Sequence, residues 1–168
     1  AILEALDEKV EINIMHNHPA LNISWPDKVH RRYMDCFKAA IVRNPFDRLV
    51  SCYEQKIKDE KKLKLQGFYN IGFRVYMTFD QFIEKVCDDP FANIHFQPQL
   101  PALMCEDKIL PDFIGKFEDI DSAWDRIRAR VDLPLKKLPH INKTPKRGHY
   151  RKYYSTNSIL KVKNTFFG

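Results

Sequence analysis

At 168 residues, 44% of them hydrophobic, the chain can bury a core of its own and reads as a single domain, residues 1–168. The formal charge of +6 is uneven: residues 133–168 hold nine Lys or Arg and no Asp or Glu, leaving residues 1–132 at −3. Nothing approaches a membrane-spanning run, and four scattered cysteines without a CxxC spacing argue against zinc and read as free thiols in or near a core.

In chain order, Ala1–Val10 reads as the end of a helix and Glu11–Met15 as a short strand, followed by a polar loop and a helical turn around His30–Met34. Phe37–Val42 has strand length and a β-branched end, and the helix after it is expected to run from Pro45 to about Lys62. Gly67 and Gly72 interrupt Leu65–Arg74, which reads as a loop. Thr78 caps a helix that buries Phe79, Phe82, Ile83 and Val86 and stops at Asp88-Asp-Pro. Asn93–Leu103 is irregular, Phe113–Phe117 a strand, and Ile120–Val131 a helix with Trp124, Ile127 and Val131 inward. A Pro- and Lys-rich tail leads to a last helix from about Thr156 to Phe166. Strands alternating with helices predict an α/β three-layer domain around a parallel sheet.

Two constellations carry chemistry. Between Phe37 and Ser51 a strand ends on Arg43 and turns at once into a helix with Asn44 as N-cap, Pro45 at the first helical position and Asp47 in the first turn. Guanidinium fork, backbone N–H groups and the Ser51 hydroxyl are what a phosphate needs; an ordinary βα turn with a paired arginine is the plain alternative. His16 and His18, two residues apart after a probable strand, suit a general base or a plain loop better than a metal, because no further ligand cluster accompanies them.

The wording of these segments adds to their pattern. Val42-Arg-Asn-Pro-Phe-Asp-Arg-Leu-Val-Ser51 closely resembles the 3′-phosphate-binding segment of sulfotransferases, above all the carbohydrate sulfotransferase superfamily with its chondroitin and heparan 2-O enzymes and bacterial relatives. Asn93-Ile-His95-Phe-Gln-Pro98, Asp112-Phe-Ile-Gly-Lys-Phe-Glu118, and Leu138-Pro-His-Ile-Asn142 followed by Tyr150-Arg-Lys-Tyr-Tyr154 resemble further family segments in the same order. The resemblance implies a P-loop-NTPase-like fold with a central parallel sheet, and transfer of a sulfuryl group from 3′-phosphoadenosine 5′-phosphosulfate (PAPS) to a hydroxyl, expected on a glycan.

It also implies roles. Arg43 and Ser51 would hold the nucleotide 3′-phosphate, with Lys146 and Arg147 in a basic loop beside them. His16 or His18, the former 27 residues before Arg43, would be the base, and His95 would lie on the acceptor side unless it only holds its loop. Tyr150, Tyr153 and Tyr154 are expected to pack the tail. The compartment would follow the source: cytoplasm for a bacterial protein, Golgi lumen for an animal one.

One departure stands out. Family members hold the 5′-phosphosulfate in a Gly/Ser/Thr-rich loop early in the domain, and no such segment occurs in these residues. The expectation is therefore an N-terminally truncated domain, inactive alone and prone to self-association through an unpaired strand edge. A non-catalytic module that binds a nucleotide or a sulfated glycan is the rival reading. Nucleic acid is not expected as a partner, since no recognition motif accompanies the basic tail.

Overall fold

The computed structural model describes residues 35–131, 138 and 148–167. The helix, strand and helical turn expected between Ala1 and Met34 lie outside them, as do His16, His18, Lys146 and Arg147. The chain divides into two compact units, Ala1–Val42 with Gln99–Asn142, and Arg43–Pro98 with Lys143–Gly168.

In the first unit, strands β1 (Ala39–Val42) and β4 (Phe113–Lys116) pair in parallel, Ala39 opposite Phe113 and Val42 opposite Lys116. Both strands are shorter than expected. A feature absent from the sequence reading is the hairpin of β2 (Met104–Cys105) and β3 (Lys108–Ile109), turned by Glu106 and Asp107 at φ 49° and 62°. The short side chain of Asp107, able to bond the local backbone, tolerates this left-handed region better than most. The sheets of the described residues are thus two-stranded, one parallel and one antiparallel.

Helix α4 (Ile120–Val131) packs on β4 through Ala123 and Trp124, both buried. Ile127 is only half-buried and Val131 is 40% exposed, so the expected inward stripe ends a turn or two early. Close contact explains the small residues here. A Cβ on Gly115 would lie 2.5 Å from Ala123 Cβ and 2.8 Å from Ile41 Cδ1. Gly115→Ala is expected to cost about 1–3 kcal/mol through overpacking. A thermal melt checks it, and an unshifted midpoint would mean that α4 can move off the strand without cost.

The second unit is helical and carries a core rich in aromatic side chains. Helix α1 (Pro45–Cys52) starts as expected: Asn44 Oδ1 accepts from Phe46 N at 2.9 Å. It does not run on to Lys62. A π-helical turn at Tyr53–Ile57 widens the coil, and Lys58 N bonds back to Tyr53 O at 3.1 Å. Asp59 then breaks the helix by capping the next one, α2 (Glu60–Leu65), through a bond from Lys62 N at 3.0 Å. The break keeps Tyr53, Ile57 and Leu63 all in the core.

Helix α3 (Phe79–Asp88) has a reciprocal cap: Thr78 Oγ1 accepts from Gln81 N, and Gln81 Oε1 from Thr78 N. It buries the four residues expected. Helix α5 (Thr156–Phe167) lies along α3, joined by Ser155 Oγ to Asp80 Oδ1 at 2.9 Å and Lys161 Nζ to Glu84 Oε1 at 2.7 Å. Phe68, Phe73, Phe82 and Phe96 form the fully buried centre. Tyr154 sits edge-on to Phe79 and Phe46 and donates to Phe46 O at 2.9 Å; with Tyr150 and Tyr153 also packed on the core, the packing role expected of these tyrosines is what the structure has.

The cysteines are unpaired, with Cys52 buried, Cys87 and Cys105 partly so and Cys36 exposed, which corrects the expectation of core thiols at that position. Among the described residues no helix is long and apolar enough to cross a membrane, and no cluster of side chains could hold a metal.

Candidate functional site

The start of α1 is the centre of the candidate site. Arg43 donates from Nε (2.8 Å) and Nη2 (2.5 Å) to Oδ2 of Asp47. Both side chains are about one-fifth exposed, at 22% and 21%. Asp47 and Ser51, four apart within α1, share one face of the helix, and Arg43, just before the Asn44 cap, reaches that face by its bonds to Asp47. Ser51 is 8% exposed and lies almost two turns from the cap.

The backbone at this helix start has less to offer an anion than the sequence suggested. Pro45 has no N–H, Phe46 N is bonded to the Asn44 side chain, and Arg48 N is bonded to Asn44 O at 2.9 Å. An anion held here would meet side chains rather than backbone amides, and the guanidinium fork is the group suited to a phosphate. Cys52, the next residue, is no nucleophile: burial pushes its thiol up to about 12, so it stays protonated at neutral pH.

Arg48 has a role that sequence reasoning missed. It donates to Gln97 O at 2.5 Å and Ile94 O at 2.9 Å, tying the His95 segment to the helix that bears Ser51. Burial lowers the pKa of its guanidinium below the ordinary arginine value. Backbone carbonyls 46 and 49 residues away leave no trace in sequence, whereas the i,i+4 spacing of Arg43 and Asp47 was a signal that could have been read.

His95 itself stacks on Phe68, with centroids 5.7 Å apart, and its backbone N–H donates to Asn93 Oδ1 at 3.0 Å. Asn93 Nδ2 donates in turn to Gln66 O at 3.2 Å, and Phe96 is fully buried. The irregular segment is thereby held at several points. The structure pairs Arg43 with Asp47 at the start of the helix that bears Ser51, and anchors the His95 loop to that helix through Arg48.

Residues 5–165 match the family model described as "Sulfotransferase family". The chain belongs to the sulfotransferase family. It is similar to human carbohydrate sulfotransferase 14, with 22% identity over 179 residues covering 95% of this chain and 47% of that protein. The mouse protein of the same name is 23% identical over 164 residues, covering 89% of this chain and 42% of the relative. The chain thus spans under half the length of these curated relatives. No solved structure matches it. Its resemblance to carbohydrate sulfotransferases extends over nearly the whole of this chain, and the mixed α and β elements with a small parallel sheet are compatible with the family's fold.

Proposed function

We propose that this sulfotransferase chain, acting as one domain of the family's three-layer, P-loop-NTPase-like fold, transfers a sulfuryl group from PAPS to a hydroxyl of a carbohydrate. The observation that carries the reading is the family match across residues 5–165, which includes the Arg43–Ser51 helix start. PAPS supplies the activated sulfuryl group, and 3′,5′-adenosine bisphosphate is the leaving product.

Arg43 and Ser51 hold the 3′-phosphate: the guanidinium by charge-assisted bonds, the hydroxyl from within the helix that follows. Asp47 keeps the arginine laid along the helix in the meantime. Lys146 and Arg147 add positive charge around the same phosphate. As the acceptor oxygen attacks sulfur, its proton passes to the imidazole of His16 or His18, whose ordinary pKa suits a base near neutrality. His95 faces the acceptor from its anchored loop.

The test is nucleotide discrimination. Arg43→Ala is expected to weaken binding of 3′,5′-adenosine bisphosphate by about 2–3 kcal/mol, the scale of a charged hydrogen-bond pair, with 5′-AMP almost unaffected. Calorimetry with both ligands decides it. Equal losses for the two would remove Arg43 from the 3′-phosphate.

A further inference from the structure

Gly67 and Gly72, at φ 74° and 85°, fold residues 66–77 into successive turns beside α2. A cleft of about 310 Å³ opens there, edged by Glu60 and Lys64 of α2 and by Tyr69, Arg74, Val75 and Tyr76 of the turns. Large apolar side chains stand unusually bare around it: Tyr76 is 80% exposed, Tyr69 47% and Val75 41%.

The polar groups are arranged in advance. The Arg74 guanidinium carbon lies 4.1 Å from the Tyr69 ring centroid. Its Nη1 donates to Tyr69 O at 3.0 Å and Phe73 O at 2.7 Å. The rest of the fork has no protein acceptor among the described residues. Lys64 Nζ is paired with Glu60 Oε1 at 2.7 Å, so Arg74 leaves the cleft with a net formal charge of +1.

We infer that this cleft binds an anionic oligosaccharide. It rests on the carbohydrate reading above and assigns the cleft to a stretch of the acceptor chain away from the reacting hydroxyl. A pyranose ring has a flat C–H face that packs on tyrosine and an edge of hydroxyls that meets the phenol groups. Its carboxylate or sulfate meets the held guanidinium fork in charge-assisted bonds. A purely apolar occupant would strip water from the Arg74 and Lys64 charges without replacing it.

The experiment titrates the chain by calorimetry with a sulfated, uronate-containing hexasaccharide and with a neutral hexasaccharide. 3′,5′-adenosine bisphosphate is titrated into the same samples. The sulfated ligand is expected to bind and the neutral one not. Tyr76→Ala, at a side chain too exposed to endanger the fold, is expected to weaken sulfated binding about fivefold. Lys64→Glu is expected to abolish it, and neither variant should alter nucleotide binding. Failure of the sulfated ligand to bind, equal binding of the neutral one, or equal affinity in Tyr76→Ala overturns the proposal. Saccharide binding that depends on Tyr76 in a chain that ignores the bisphosphate leaves the cleft assigned and overturns the donor reading instead.

Discussion

Replacing the catalytic base with alanine is expected to cut turnover by roughly 10²–10⁴-fold, the usual contribution of a positioned acid or base. The substitution is His16→Ala or His18→Ala, in protein with a phosphosulfate loop present. Nucleotide affinity should scarcely change, because in the proposed reading the imidazole acts on the acceptor proton and Arg43 on the 3′-phosphate. Steady-state rates and bisphosphate binding on the two single variants separate the candidates: the base loses rate, and its neighbour does not. Near-normal rates in both would make the pair ordinary loop histidines and leave His95 as the next candidate. His95 could then be tested in the same way, with the warning that its ring stacks on Phe68 and its removal also loosens a packed loop.

The second large effect is on stability. Phe82 is fully buried, with ring centroids 5.4 Å from Tyr53, 5.7 Å from Phe73 and 5.9 Å from Phe79. Phe82→Ala is expected to cost about 3–5 kcal/mol, combining lost transfer energy with an unfilled cavity. The thermal midpoint should fall by roughly 10 °C or more. Function should suffer with it. Tyr53 continues the helix that bears Ser51, and Phe73 packs on Phe96 beside His95. Phe91→Ala, at a site 57% exposed, is the control and should stay within about 0.5 kcal/mol. Similar melts for the two variants would mean that the aromatic cluster does not hold this unit together.

Much of the local structure could be read without coordinates, where the cause lies within a few residues. Asn44, Thr78 and the spacing of Phe79, Phe82, Ile83 and Val86 mark their helices because caps and amphipathic faces are short-range devices. The family was legible too, since the segments around Arg43, His95 and Asp112 occur in order and the family model spans residues 5–165. The uneven charge of the chain and the scattered spacing of its cysteines were likewise read directly from residue order.

Other features were decided only by tertiary contacts. Apolar periodicity continues through Tyr53 and Ile57, so nothing local announced the π turn; the core accepts it because it keeps both residues inside. The inward stripe of α4 stops short of Val131, which stays 40% exposed, while Ala123 packs where a Cβ on Gly115 would lie 2.5 Å away; such burial is set between elements. Arg48 reads as one more helix-surface cation until the fold brings the carbonyls of Ile94 and Gln97 to it. Backbone amides at the start of α1 looked available in sequence, yet proline chemistry and the Asn44 cap take most of them. The cleft beside α2 exists because two left-handed glycines turn the chain back toward the helix. Pattern and propensity report on neighbours along the chain, whereas these features depend on partners that only folding brings into reach.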